Sequence, residues 1–376
     1  MKVFFWVQHL LGIGHLRRTL SLARATAAAG METVVATGGL PVPGADPGAA
    51  KLVQLPPVRA VDRYFKQLAD ERDRPIDDDW RDGRRAVLFA AYEAARPDVL
   101  VTELFPFGRR QLRFELEPLL ARARADGCTT VSSVRDILVE PDKPERIGEM
   151  LERVKRWYDL VLVHGDPAFV PFDVTFPGLD EIAPLVRYTG YTVDPVEAPP
   201  CGDGEGEVLV SAGGGAVGEP LLRAALAARP LSTARDRSWR FLVGEGLPET
   251  VFSELAQAAP AGTVVERARP DFQALLGRAH LSVSQGGYNT VMEVLAAGLR
   301  AVVAPYAGGH ESEQTLRAGA LAERGALQVV AEDELSPERL AAAIDRALAG
   351  PPLSAAGIDL GGIPATIALL QDLDGR

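Results

Sequence analysis

Short apolar runs without polar interruption alternate with helix-length amphipathic segments along almost the whole chain. The runs fall at 3–7, 33–36, 99–102, 130–133 and 160–163, and again at 208–211, 241–243, 263–265, 281–283 and 301–304. Between them, helical periodicity marks 16–29, 81–95, 144–157, 219–228, 272–276, 290–297 and 311–322. A strand that does not alternate polar with apolar is buried on both faces, which requires a parallel sheet with helices on either side. The expected fold class is therefore α/β, doubly wound. The alternation lapses over residues 188–208, YTGYTVDPVEAPPCGDGEGEV, which is rich in proline, glycine and acid and reads as a linker. That break divides the chain into domains expected at 1–190 and 207–355, with a last apolar helix in the tail 356–376. A length of 376 residues suits two such domains.

A formal net charge of −11 argues against a nucleic-acid binder, which would present a basic face. Cys128 and Cys201 are far apart and have no metal-ligand spacing, so reduced thiols in a cytoplasmic setting are expected. The opening MKVFFWVQHLLGIGHLRR is too short an apolar run to span a bilayer and reads as a first strand and its loop. PIDDDWRDGRR contains Asp77 and Asp79 in a D-x-D pattern, but these precede a helix and suit capping better than a metal.

Three glycine-rich turns join strands to helices. LLGIGHLRRTLSLARA carries Gly12, Gly14 and His15; LVSAGGGAVGEPLLRAAL carries Ser211, Gly213, Gly214 and Gly215; SVSQGGYNTVMEVL carries Ser284, Gln285, Gly286, Gly287, Asn289 and Thr290. Glycine lets backbone approach a ligand closely, and the open amides at a helix start attract anions. A single turn of this kind is as well explained by tight packing, whereas three at strand ends point to a diphosphate. Glu293 lies one helical turn beyond Thr290. A carboxylate there would repel phosphate, so it suits hydroxyl donors such as those of a ribose; a solvated helix residue is the plainer alternative.

SQGGYNTVMEVLAAGLRAVVAPY followed by GGHESEQTLRAGALAERGA resembles the nucleotide-sugar half of GT-B glycosyltransferases, in particular family 28. GIGHLRR is similar to the same group and to sugar-nucleotide hydrolases of pseudaminic acid synthesis. VTELFPFGRRQLRFELEPLL, SSVRDILVEPDKPER, VLVHGDP and VRYTGYT resemble a subgroup of bacterial glycosyltransferases, so the resemblance runs over nearly the whole chain. It implies two Rossmann-like domains with a cleft between them, a last helix crossing back to the first domain, and a donor held mainly by the second. Glu293 then corresponds to the ribose-binding glutamate, and Gly286, Gly287, Asn289 and Thr290 to the phosphate-side loop, with Gly213 to Gly215 as a second one. Glu313 and Gln314 stand where the family has two glutamines on donor-sugar hydroxyls, the first being Glu here. Ala268 and Phe272 are candidates at the base, and His310 near the sugar.

An inverting transfer needs a base within reach of the acceptor hydroxyl and dipoles or cations for the departing diphosphate. The first domain offers His15, Glu103, Arg135, Asp136, His164 and Asp166 at the ends of its strands, all on one edge if the sheet is parallel. His15 is the first candidate, as base or as phosphate contact, since a helix start favours the neutral imidazole and also favours anions. Glu103 or Asp136 could orient or replace it; capping, or ion pairs with Arg109, Arg110 or Arg135, are the plainer readings. His164 suits a turn or the acceptor side, and His280 suits packing. Arg109, Arg110 and Arg113, after Phe105 and Phe107, suit an acceptor clamp, a membrane contact or a solvated turn.

The expected activity is an inverting, metal-independent glycosyltransferase with no cofactor beyond its nucleotide-sugar co-substrate, UDP first and dTDP second. The acceptor carries a hydroxyl and is a small molecule or lipid-linked; peripheral contact with the inner face of the membrane goes with the second case. Oligomeric state is left open. A sugar-nucleotide hydrolase or 2-epimerase on the same fold is one alternative, and a non-catalytic sugar-nucleotide-binding subunit another.

Overall fold

The computed structural model describes residues 1–10, 12–61, 67–139, 145–196, 199, 201–213, 217–308, 312–351 and 357–373. The chain divides into two compact units, Met1–Thr192 with Gly361–Arg376, and Val193–Leu360.

The first unit runs β1 (Lys2–Val7), α1 (Gly14–Ala28), β2 (Glu32–Thr37), β3 (Lys51–Gln54), β4 (Val58–Ala60), β5 (Leu68–Asp70), α2 (Asp78–Ala95) and β6 (Val99–Glu103). It continues with α3 (Arg113–Ala125), β7 (Thr129–Arg135), α4 (Glu145–Trp157), β8 (Leu160–His164) and β9 (Val186–Tyr188). Among the described residues seven strands form one sheet, in the order β3-β2-β1-β6-β7-β8-β9, every pairing parallel. β4 and β5 form a separate antiparallel hairpin.

The apolar run of β1 explains its central place. Val3, Phe5 and Val7 turn to one face and pack with Leu16, Leu20 and Ala23 of α1. Phe4 and Trp6 turn to the other and pack with Leu88 and Tyr92 of α2 and Leu116 and Leu119 of α3. Successive strand side chains point to opposite faces, so only an unbroken apolar run serves two helical layers. Each fully buried large side chain contributes about 1.5–3 kcal/mol.

The second unit holds β10 (Val208–Ser211), α5 (Glu219–Ala228), β11 (Trp239–Val243), α6 (Glu249–Ala258), β12 (Thr263–Arg267), α7 (Phe272–Arg278) and β13 (Leu281–Ser284). It ends with α8 (Tyr288–Ala296), β14 (Ala301–Val303), α9 (Glu313–Glu323), β15 (Gln328–Val329) and α10 (Pro337–Ala349). Its described strands are again all parallel, in the order β12-β11-β10-β13-β14-β15. Val208 and Val210 pack with Leu221, Leu222 and Ala225 of α5 and with Leu340 and Ile344 of α10. The last helix, α11 (Gly362–Gln371), lies in the first unit, where Ile363, Ile367 and Leu370 join the core under α1. Gly362 sits so close to Gly190 and Tyr191 that an added Cβ would lie 2.5 Å from the Gly190 carbonyl oxygen.

Some boundaries differ from the sequence expectation. α8 begins at Tyr288 rather than residue 290, which puts Asn289 and Thr290 inside its first turn. α3 forms despite Pro118, which lies in its second turn. β9 ends on Tyr188, the first residue of the stretch read as linker. Asp77 caps α2, its Oδ1 accepting from the Trp80 amide at 2.8 Å. Among the described residues no helix is long and apolar enough to cross a membrane.

Candidate active site

In both sheets the strand order reverses beside the first strand of the unit, between β1 and β6 in one and between β10 and β13 in the other. The crevice beyond the carboxyl ends of strands at such a reversal is where open α/β sheets bind ligands.

In the first unit that reversal brings His15 and Glu103 together. His15 stands on the first turn of α1 after β1, and Glu103 ends β6. His15 Nδ1 lies 2.8 Å from Glu103 Oε1, with the His15 side chain 15% and the Glu103 side chain 2% exposed. Arg18, one turn along the same helix, pairs with Glu103 Oε1. Ser133 Oγ donates to Glu103 Oε2 at 2.7 Å. Burial alone would push the Glu103 carboxyl up; Arg18, His15 and Ser133 outweigh it and hold the group well below the usual carboxylate range. Burial, followed by the positive charge of Arg109, pushes the His15 imidazole down to about 3 against the raising effect of Glu103. His15 is therefore neutral at pH 7. An ionised carboxylate only accepts, so Nδ1 carries the proton and Nε2 keeps its lone pair. Nε2 has no hydrogen-bond partner among the described residues. This is the arrangement of a general base: an imidazole oriented by a carboxylate, with its basic nitrogen uncommitted.

The other candidates take supporting places. Asp136 follows β7 with no exposed surface; its carboxylate accepts the Tyr191 hydroxyl, and an added Cβ at Gly165 would lie 2.4 Å from its own Cβ. Asp136 thus belongs to the interior of the unit, held by Tyr191. His164 ends β8, also fully enclosed, with Nε2 2.9 Å from Ser133 Oγ and Nδ1 2.9 Å from Thr189 Oγ1. It lines neither a turn nor an acceptor surface. Arg109 has left-handed backbone, φ 60°, and its Nε donates to the Gln8 carbonyl at 2.8 Å. Burial pushes its guanidinium down to about 10, opposed by Glu103 and reinforced by Arg135 and Arg18. Arg135 is half-buried at the end of β7. Gly12 is exposed and Gly14 opens α1, which has no side-chain cap and no acidic residue in its first turn.

In the second unit, register places Ser211 opposite Ser284 on adjacent strands, so their two loops leave the sheet side by side. Gln285 Nε2 ties them, donating to the Val217 carbonyl at 3.1 Å. Gly286 adopts φ 81°, where a side chain is strained, and an added Cβ would lie 2.4 Å from Val303 Cγ1. Gly287 caps α8 with no side-chain cap bond and open space where a Cβ would stand. The amides of Gly286, Gly287 and Thr290 have no acceptor among the described residues. Ser211 Oγ is buried and also without a hydrogen-bond partner there. Gly213 has φ 67°, and Gly214, Gly215 and His310 lie outside the described residues. Open amides on a helix N-terminus, beside an unsatisfied hydroxyl, suit a phosphate.

Glu293 is half-buried on α8, and Gln273 of α7 donates to its Oε1 at 3.4 Å. Phe272 is the buried first residue of α7, and Ala268 donates its amide to the Val243 carbonyl. Glu313 is buried and binds Arg317 Nη1 at 2.8 Å, while Arg317 lies over the Tyr288 ring at 5.0 Å. Gln314 Oε1 accepts the Tyr306 amide at 3.0 Å. Both are thus engaged by protein groups: a glutamate in place of glutamine has a buried arginine as its partner.

Sequence reasoning did not single out Arg18, Ser133, Thr189 or Gln273. Only Arg18 left a trace, three residues after His15 and so on the same helical face.

Two doubly wound units, each with its polar groups at the strand reversal, define the GT-B class of fold. Residues 209–356 match the glycosyltransferase family 28 C-terminal domain. The second unit therefore matches the family 28 C-terminal domain, in a chain whose fold is of the GT-B kind. A UDP-N-acetylglucosamine–N-acetylmuramyl-(pentapeptide) pyrophosphoryl-undecaprenol N-acetylglucosamine transferase of Rhizobium johnstonii is 39% identical over 106 residues, covering 27% of this chain and 28% of the relative. The transferase of the same description from Syntrophotalea carbinolica is 39% identical over 95 residues, covering 24% and 26%. The match thus spans little more than a quarter of these relatives. Among solved structures, the calicheamicin glycosyltransferase CalG4 aligns with a TM-score of 0.65 at 19% identity, covering 100% of this chain and 98% of that one. Acinetobacter baumannii MurG aligns at 0.61 and 16% identity, covering 99% and 100%. At such identities the likeness is one of fold.

Proposed function

We propose that this protein is an inverting glycosyltransferase that takes a sugar from a nucleoside-diphosphate sugar and gives it to a hydroxyl-bearing acceptor. The observation that carries the reading is the neutral, carboxylate-oriented His15 with its uncommitted Nε2, in a chain whose other unit matches the family 28 C-terminal domain. Nε2 accepts the proton of the acceptor hydroxyl as its oxygen attacks the anomeric carbon. The sugar–phosphate bond breaks, and the diphosphate leaves with its bonding electrons. The amides of Gly286, Gly287 and Thr290 and the dipole of α8 meet the charge that develops on it. That neutralisation comes from backbone, so the reading is metal-independent. Glu293 takes ribose hydroxyls as a charged acceptor.

UDP is the first choice of nucleotide, in line with the relatives whose names specify UDP-N-acetylglucosamine. dTDP is the second; a structural neighbour, the glycosyltransferase VinC, was solved with it. A small-molecule acceptor and a lipid-linked one both fit, the latter with the protein on the inner face of the membrane. The test is incubation of the purified protein with UDP- and dTDP-sugars, with and without a panel of hydroxyl acceptors. Acceptor-dependent release of nucleoside diphosphate supports transfer; equal release in water alone makes the protein a hydrolase. Glu293→Ala is expected to weaken UDP binding by about 1–3 kcal/mol, the cost of a lost charged hydrogen bond. Calorimetry reads it directly, and an unchanged affinity removes Glu293 from the site.

A further inference from the structure

His164 is a buried imidazole that the transfer step does not touch, and it stands one hydroxyl away from the carboxylate that orients His15. Thr189 Oγ1, His164, Ser133 Oγ and Glu103 form a continuous series with separations of 2.9, 2.9 and 2.7 Å. Each member is at most 2% exposed. The residues come from the ends of β6, β7 and β8 and from the residue after β9, four neighbouring strands of the sheet. We propose that Ser133 and His164 are positioning residues for the base, a directed relay of hydrogen bonds that fixes the Glu103 carboxylate and through it the proton and orientation of His15.

The direction follows from what each atom can do. Glu103 is ionised beside Arg18 and can only accept, so Ser133 spends its single proton on Oε2. Ser133 Oγ is then an acceptor toward His164, and Nε2 must donate. Burial, with the charge of Arg18, pushes His164 down to about 3, so the ring is neutral and its Nδ1 is an acceptor. Thr189 therefore donates to Nδ1, in preference to the Gly190 carbonyl that also lies 2.8 Å from its hydroxyl. His15 and His164 thus hold opposite tautomers, the proton on Nδ1 in one and on Nε2 in the other. No proton travels along the relay. Its effect is to hold Oε2 from behind while Oε1 meets His15 and Arg18, so the carboxylate cannot swing. The charged and titratable groups around it are His15 and Arg18 of α1, Glu103 of β6, Arg109 beyond it, Arg135 at the end of β7, Asp136 after it, and Tyr191.

The proposal rests on His15 as the base, but its test needs no substrate. The full chain, labelled with 15N in its five histidines, gives long-range 15N–1H spectra in which ring shifts report tautomer and charge. His→Gln variants assign the resonances. At pH 7 His15 is expected as the Nδ1–H form and His164 as the Nε2–H form, both unchanged down to about pH 5. Ser133→Ala leaves the carboxylate unfixed and one acceptor short of a donor. His15 should then show a mixture of tautomers, and Ser133→Thr, which keeps the hydroxyl, should restore the single form. His164 in the Nδ1–H form or charged at pH 7, or a Ser133→Ala protein whose His15 shifts are those of the wild type, overturns the relay. Should Ser133→Ala not fold, the two wild-type tautomers alone decide. Sugar transfer by His15→Ala judges the base separately: full activity there sinks the base while leaving the tautomers to judge the relay.

Discussion

His15→Ala is expected to lower sugar transfer by about 10²–10⁴-fold, the usual worth of a positioned general base, while leaving UDP affinity unchanged. That is about 3–5 kcal/mol of transition-state stabilisation. The acceptor hydroxyl is a weak nucleophile, and on the proposed reading the uncommitted Nε2 accepts its proton. Because burial and Arg109 hold the imidazole down to about 3, its neutral form persists far below the ordinary histidine range. The pH–rate profile should accordingly have no acid limb near 6.5, the value of a free imidazole. Glu103→Gln should cost less than the alanine change at His15, since an amide oxygen still accepts from Nδ1 but no longer supplies a charge opposite the imidazolium that forms. Steady-state transfer measured beside UDP calorimetry separates the outcomes. Turnover kept with nucleotide binding weakened would make His15 a phosphate contact; turnover and affinity both kept would remove it from the site.

How much of this was legible in the sequence follows from which interactions are local. The apolar run KVFFWV had to be a doubly buried strand, and of the glycines after VSA and VSQ, Gly213 and Gly286 take the positive φ that favours glycine. The parallel order then set His15 and Glu103 on one edge. What the sequence did not disclose is the pairing between side chains 30 to 90 positions apart. Glu103 pairs with the His15 it was read as able to orient, but its ion-pair partner is Arg18, across 85 residues, rather than the nearby arginines 109 and 110. His164 looked like a turn residue beside Gly165 and Asp166, yet it ends a strand and turns inward to Ser133. Asp136 carried the same ambiguity, and Tyr191 and Gly165 resolve it. A carboxylate at the end of a strand looks alike in sequence whether it faces solvent or a buried donor, because only the neighbouring strand decides.

The second large effect lies behind the site, in an ion pair that no motif marked. Glu115→Ala is expected to destabilise the first unit by about 3–5 kcal/mol, the cost of leaving one buried charge without its partner. Arg84 and Glu115 are both fully enclosed, with Nε 2.6 Å from Oε2 and Nη2 2.9 Å from Oε1. The same guanidinium donates to the carbonyls of Gly38 and Pro56 and to Gln8 Oε1, and Trp6 Nε1 donates to Glu115. Gly38 has to be glycine here, because an added Cβ would lie 2.1 Å from Arg84 Nη2. Gln8 begins the loop from β1 to His15, so this network sets the base of that loop as well as the packing of α2 on α3. Loss of 3–5 from a total of about 5–15 kcal/mol leaves a marginal unit. Chemical denaturation followed by fluorescence, with Trp6 inside the network, reads the loss. Replacing both members together, Arg84→Met with Glu115→Leu, should recover only part of it, since no charge is then stranded but the Gly38 and Pro56 carbonyls, Gln8 and Trp6 Nε1 lose their partners. A Glu115→Ala loss under about 1 kcal/mol would mean that water reaches Arg84 and that the pair does not fix the loop carrying His15.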